Sequence, residues 1–501
     1  MNRFVKYAIT NHRRLDPQSL LKTLGSLKNV ESRASQSSVV TNDVKCRSDE
    51  PLVSETPSSS EIKFDNVRTI YGTKTMIELI RALVVLKMTS YHFLVANNVK
   101  IMEWCQSVLG EKLFRKLIKL TFFGHFIAGE NHHEILPKIE RLSKAGVRPI
   151  ISHDLEEKNH DEFLCQNVNN IFKDQNVPIN TSFRDWYYDF AMKSIETLKN
   201  VEGSPLIAIK LTSLCTSLIL RKISAILEPV PGKKEENYQH LSISELLNRE
   251  EAKFSSHEME TIEKSMILVN DIIRNATDSK IGVLVDAEHS YFQPAIHRMA
   301  MDMMRKHNRS HPFVSNTYQN YLKSANDTML RHLNESKKFD FCFGAKLVRG
   351  AYMDSERSLA KKYNYSDPIN ESYEKTSEMI HRNLNVLMEE MDRLGRNSNK
   401  ISILIASNNE DTARLGIKGL KSKRLNPESI AFAQLYAMSD HITFSLGEAG
   451  LHAYKWIAFG PIEKILPYLS RRAAENHSVL EKTQIERKMI RSEILRRLTF
   501  G

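Results

Sequence analysis

The chain has 501 residues, 41% apolar and 26% charged, with a formal net charge of +11. That balance excludes a wholly disordered chain and suits one large domain or two smaller ones. The five cysteines, Cys46, Cys105, Cys165, Cys215 and Cys342, form no C-x-x-C pair, which argues against a zinc site or a disulfide scaffold and fits a reducing compartment.

Residues 1–35 carry seven basic side chains, from Arg3 to Arg33, against Asp16 and Glu31, and they contain no apolar signal core. An Arg-rich, acid-poor start predicts a mitochondrial transit peptide, the alternative being a disordered basic tail. Residues 36–61 are rich in Ser and Thr and read as a flexible linker. Residues 62–146 predict an N-terminal helical region. "TMIELIRALVVLKM", "NNVKIMEWCQSVLG" and "EKLFRKLIKLTFFGHF" repeat apolar residues every three or four positions. Arg81 and Lys87 interrupt the longest apolar stretch, so no transmembrane helix is predicted. His132, His133 and Glu134 lack the spacing of metal ligands and read as a loop entering a helix, so no metal is expected. No nucleic-acid-binding signature occurs, and nucleic acid is not expected as a partner despite the basic charge.

From residue 147 to 480 short apolar runs alternate with amphipathic helices. The runs are "VRPIIS" (147–152), "PLIAIKLT" (205–212), "IGVLVDAE" (281–288), "PFVSNTY" (312–318), "FGAKLVRGAY" (343–352), "ISILIAS" (401–407), "IAFAQLYAM" (430–438) and "ITFSLG" (442–447). Eight such units predict an α/β fold, a distorted (β/α)8 TIM barrel following the N-terminal helical region. The gap between the last two runs is too short for a full helix, so irregularity is expected there. A charged insertion is expected at about 217–260, with "VPGKKEENYQH" its exposed part. Residues 481–501 predict a basic amphipathic C-terminal helix with Ile485, Met489, Ile490, Ile494, Leu495 and Leu498 as its apolar residues. It could lie on an anionic bilayer or pack on the barrel.

Active sites of such barrels lie where the strands end. Arg349 at the end of run five, with Arg471 and Arg472 of "PYLSRRAAEN", could bind a carboxylate or phosphate through charge-assisted bonds. Asp286, Glu288 and Glu475 could hold those arginines; structural salt bridges are the alternative. Asn316, Ser407, Asn409 and Gln434 are neutral hydrogen-bonders at strand ends, suited to a heteroatom-rich flavin and equally to helix capping. No G-x-G-x-x-G or P-loop occurs, so a nucleotide cofactor would need another device.

Taken in order, "DAEHSYFQPAI", "AKLVRGAYMDSE", "ASNNEDT", "QLYAMSDHITFSLGEAG" and "PYLSRRAAENHSVL" resemble the eukaryotic mitochondrial proline dehydrogenase family over about residues 62–499. The resemblance implies a distorted (β/α)8 barrel that binds FAD. It implies oxidation of L-proline to Δ1-pyrroline-5-carboxylate by hydride transfer to flavin N5. Electrons would pass to ubiquinone, on the matrix side of the mitochondrial inner membrane. It implies that Arg471, Arg472 and Arg349 grip the substrate carboxylate, with Asp286, Glu288 and Glu475 as ion-pair partners. Trp456 and Tyr468 would line the substrate pocket. Asn316, Arg349, Ser407, Asn408, Asn409 and Gln434 would contact the flavin. Departures from the family pattern are Ser152-His153 for Asp-Tyr, Asn408 for His, Ala437 for Gly, Glu448 for Gln and Phe459 for Tyr. Trp456 stands where proline enzymes have Tyr and hydroxyproline enzymes Ser, and its bulk argues for proline. The competing readings are a hydroxyproline dehydrogenase and a non-catalytic barrel kept for proline sensing or partner binding.

Overall fold

Strands β1 (Val147–Ser152), β2 (Leu206–Ile209), β3 (Gly282–Val285), β4 (Val314–Gln319), β5 (Phe343–Val348), β6 (Ile401–Ala406), β7 (Ile430–Leu435) and β8 (Ala453–Ala458) run parallel in chain order. β1 pairs with β8 from Val147↔Ala453 to Ser152↔Ala458 and closes the barrel. This computed structural model describes residues 62–152, 181–227, 240–249, 254–478 and 480–500. The expected transit peptide and linker lie outside the described residues.

Successive side chains of each strand point to opposite faces. One set, including Val283, Val314, Phe343, Ala345, Ile403, Phe432 and Ile457, packs outward against the helices in the main core. The other set, Ile150, Ala208, Leu284, Leu404, Ala431, Ala433 and Tyr454, fills the barrel interior with Trp456 beside it. This alternation decides which polar side chains enter the barrel and which turn away from it.

The last strand corrects the sequence reading. "ITFSLG" belongs to a helix, Asp440–Glu448, and β8 is "AYKWIA". Both are short, mainly apolar runs that periodicity alone does not separate, and β8 carries a charge in mid-run. Lys455 is nonetheless buried, since it pairs with Asp440 at 2.8 Å and donates to the carbonyls of Met438 and Leu435. β7 and β8 are therefore joined by a helix, and the expected irregularity there is absent.

The chain enters through α1 (Val67–Tyr71), α2 (Met76–Met88), α3 (His92–Ala96) and α4 (Asn98–Ile118), and then α5 (His132–Lys144) leads into β1. α2 starts with a capping box in which Thr75 Oγ1 accepts from Glu78 N and Glu78 Oε2 accepts from Thr75 N. α4 bends at Gly110, whose φ of 69° favours glycine. The barrel helices are α6 (Thr181–Leu198), α7 (Ser217–Leu227), α8 (Ser256–Asp278), α9 (Gln293–His307), α10 (Ala325–Lys338), α11 (Tyr373–Leu394), α12 (Glu410–Ser422), α13 (Asp440–Glu448) and α14 (Ile462–Ser478), with α15 (Leu480–Phe500) last. α7 falls in the expected insertion yet is buried and bonded to α9, where Ala295 N donates to Ser224 Oγ at 3.0 Å. Residues 228–239, most of the expected exposed part, lie outside the described residues.

α14 does not close the ring beside β8. Its Ile462, Ile465, Tyr468 and Leu469 pack on Ala437, Met438 and Ala458 at the carboxyl ends of β7 and β8, with Phe114, Ile118, Phe123 and Phe126 from the N-terminal region. Two of the predicted site residues, Arg471 and Arg472, follow Tyr468 and Leu469 on this helix.

Candidate active site

On β5 the side chains of Phe343, Ala345 and Leu347 face outward, so Lys346 between them faces in. Its ammonium lies 2.7 Å from Asp286 Oδ1 and 4.1 Å from the centre of the Trp456 ring. Asp286 and Lys346 are both buried, so each offsets the other's desolvation. Of this group the sequence reading singled out Asp286 and Trp456 but not Lys346. The available signal was parity: a base three residues before Arg349 must point to the opposite side of the strand.

That parity also explains Arg349. It continues the outward row of β5, and its guanidinium donates to Ser377 Oγ (3.0 Å) and the Tyr373 carbonyl (2.9 Å) on α11. It also stacks on the Tyr373 ring at 3.7 Å. The next residue, Gly350, has φ 138°, and a Cβ there would sit 1.3 Å from the Tyr321 ring, so only glycine fits.

Arg349 belongs to a polar rim over β5, β6 and β7. Tyr373 Oη accepts from Asn409 Nδ2 at 3.2 Å, and Asn409 N donates to Ser407 Oγ at 3.1 Å. Gln434 Nε2 donates to the Ser407 carbonyl at 3.0 Å, and Gln434 Oε1 accepts from Thr443 Oγ1 at 2.7 Å. Asn409 also caps α12, its Oδ1 accepting from Thr412 N at 3.0 Å. Asn408, between them, is half-buried. The structure thus joins four of the six predicted flavin contacts into one network, which holds strand ends and a helix start.

Gln434 and Asn316 do not face the barrel interior. Gln434 continues the outward row of Ile430 and Phe432. Asn316 lies between Val314 and Tyr318 on the outer face of β4, fully buried and 3.0 Å from His297 Nδ1 through its Nδ2. Burial depresses the His297 pKa to about 4, so the ring is neutral and serves as a structural partner. The inward positions of β4 are Thr317, which donates to the Val285 carbonyl at 2.7 Å, and Gln319, which donates to the Glu288 carbonyl at 2.7 Å. The two-residue period of the strands therefore turns Asn316 and Gln434 outward and Thr317 and Gln319 inward.

Glu288 is buried and accepts from Thr212 Oγ1 at 2.7 Å, while its backbone N–H donates to Gln293 Oε1. Lys210, inward at the end of β2, is buried and raises the local positive potential together with Lys346. Burial pushes the nearby Tyr187 hydroxyl pKa up, and Asp286 and Glu288 push the same way. On α14 Arg472 is buried, with its guanidinium 4.7 Å from the Tyr468 ring centre; Arg471 is half-buried. Glu475 lies on the same helix, but its side chain is outside the described residues. Ser152 ends β1 on the inward side, buried, and its hydroxyl has no hydrogen-bond partner among the described residues. His153 lies outside the described residues.

A buried ammonium beside an acid and an aromatic ring on the inner face of a closed barrel suits a small polar molecule. Residues 184–484 match the family model described as "Proline dehydrogenase". The chain belongs to the proline dehydrogenase family. It is 33% identical to proline dehydrogenase 1, mitochondrial, of Drosophila melanogaster, an alignment covering 88% of this chain and 81% of that protein. Identity to the Homo sapiens protein of the same name is 30%, over 89% and 91% of the two chains. It is also 32% identical to the hydroxyproline dehydrogenase of Xenopus laevis, over 86% and 89%. Among solved structures, proline utilization A from Bdellovibrio bacteriovorus, inactivated by N-propargylglycine, shares the fold. The TM-score is 0.56 at 16% identity, covering 82% of this proline dehydrogenase family chain and 38% of that longer one.

Proposed function

We propose that the chain oxidises L-proline to Δ1-pyrroline-5-carboxylate with FAD as cofactor, passing electrons to ubiquinone on the matrix side of the mitochondrial inner membrane. The observation that carries this reading is the Asp286–Lys346–Trp456 group inside the barrel of a proline dehydrogenase family member. The donors fit a flavin: a buried ammonium, a buried hydroxyl at Ser152 without a partner among the described residues, and the rim over β5 and β6. Lys346 would hold the flavin from within, and Arg349, Ser407, Asn408 and Asn409 from the rim. Asn316 and Gln434 would support the strands from behind. When bound, the flavin supplies the acceptor for the hydride.

The protein's own work is binding and orientation. Arg471 and Arg472 would grip the proline carboxylate, with Glu475 and Glu288 balancing charge around them. Fixing that carboxylate fixes the ring carbon that must lose hydride. Trp456 and Tyr468 would wall the ring. The Trp456 indole, flanked by Lys346, leaves little room for a ring hydroxyl, which favours proline over hydroxyproline.

The test is an absorption spectrum of the purified protein. A bound-flavin band that bleaches on anaerobic addition of proline is expected, with hydroxyproline slower. Faster bleaching by hydroxyproline would reassign the substrate. Failure to take up FAD from excess would favour the non-catalytic barrel.

A further inference from the structure

We infer that the outer face of α4 and the turn that follows it dock on an anionic lipid bilayer. The inference rests on the membrane association proposed above and names the surface responsible for it. α4 is apolar on two sides. Its inner side buries Phe114 and Ile118 against Ile465, Tyr468 and Leu469, with Met102 and Cys105 packed alongside. Its outer side leaves Trp104 64%, Val108 61%, Leu113 53% and Leu120 67% exposed, with Leu117 between the last two at 40%. The spacings are those of one helical stripe on each side of the Gly110 bend.

A helix apolar on both sides needs a second apolar neighbour, and an exposed stripe of this length marks an interaction surface. Charge selects the neighbour. Exposed Lys112 and Lys116 run along the edge of the stripe, one turn apart, and exposed Lys100 lies before it, outnumbering exposed Glu103 and Glu111 on the same helix. Upstream, on α3 and its cap, Phe93 is 69% exposed and Tyr91 50% exposed, with the Lys87 ammonium 4.8 Å from the Tyr91 ring centre. Aromatic and lysine side chains around an aliphatic stripe suit the headgroup boundary of an anionic membrane. Among the described residues no helix is long and apolar enough to cross a membrane, so this face would lie in one leaflet. The C-terminal helix, the other membrane candidate in the sequence, buries Ile490 against Ile70, Tyr71, Leu79 and Leu86 and leaves Ile485, Leu495 and Leu498 exposed, so removing residues 481–501 separates the two surfaces.

Flotation of the full chain with phosphatidylcholine vesicles, with and without phosphatidylglycerol, tests the proposal. The Leu113→Glu/Leu117→Glu variant should lose at least about tenfold in vesicle partitioning. Proline oxidation with a soluble dye acceptor should be unchanged. Lys112→Glu/Lys116→Glu should lose only the part that depends on phosphatidylglycerol. If the leucine variant does not fold, brominated lipids should still quench Trp104 fluorescence in the unaltered chain. Unchanged flotation of a folded leucine variant, or no quenching, overturns the proposal. So does a shift from oligomer to monomer with flotation retained, which would make the stripe a protein interface. Dye-linked turnover reports separately on the proline reading.

Discussion

A lysine on the inner face of a barrel strand is costly unless its charge is met, and Lys346 is met by Asp286 at 2.7 Å and by the Trp456 ring. Lys346→Met would leave Asp286 as a buried acid without this ion pair. We expect a loss of roughly 3–5 kcal/mol in stability, read by denaturant unfolding, and a fall in kcat/KM. Lys346→Arg should recover stability better than activity, because a guanidinium fills the space differently. Arg471→Met and Arg472→Met should each raise KM for proline roughly 10- to 100-fold, the worth of one charge-assisted bond. FAD content should be nearly unchanged, and unaltered KM in both variants would reduce the pair to structural salt bridges. Asn316→Ala, on the outer face, should instead cost roughly 1–3 kcal/mol of stability and leave KM alone. The residue types at the site and their alternation were readable in the sequence, but which of the two faces points into the barrel was not. Arg349 and Lys346 differ by three positions, hence by one face, and a motif match does not register that difference.

At the scale of elements, the β8–α13 pair shows why seven strands were legible and one was not. A short apolar run reads alike as strand or as buried helix, and at the end of the barrel the run read as a strand folds as helix while β8 follows it. Burial lowers the Lys455 pKa and Asp440 opposes it. Burial alone would raise the Asp440 pKa, yet Lys455 and Lys74 together hold it well below the usual carboxylate range. This contribution is present above the ordinary Asp range and is lost only in strong acid. Glu486 on α15 has the opposite sign. Burial, and then the Asp440 charge, raise its pKa from 4.5 to about 7. Between those values the folded chain keeps a proton that the unfolded chain has released. Stability therefore falls as pH rises through that window. Glu486→Gln should flatten that slope in thermal melts taken across the window; an unchanged slope would assign it to other groups.

For the whole molecule, the ends of the described chain lean on each other rather than on the strands. α15 packs Met489, Ile490 and Ile494 against α1 and α2, and Arg497 donates to the carbonyls of Tyr71 and Lys74. Removing residues 481–501 should expose Ile70, Leu79 and Leu86. The truncated chain should melt earlier and aggregate, while any of it that stays folded should still float with vesicles through α4. Loss of flotation by a folded truncation would return membrane binding to the C-terminal helix. The sequence by itself determined the alternating strand and helix pattern, the N-terminal helices and the family, because periodicity and short motifs are local. Tertiary structure alone decided that Lys455 lies in a strand and that Asn316, Arg349 and Gln434 face outward. It also decided that Lys346 meets Asp286 and that α14 packs at the carboxyl ends of β7 and β8. Each of these depends on a partner far along the chain, and a buried charge becomes acceptable only when that partner is in place.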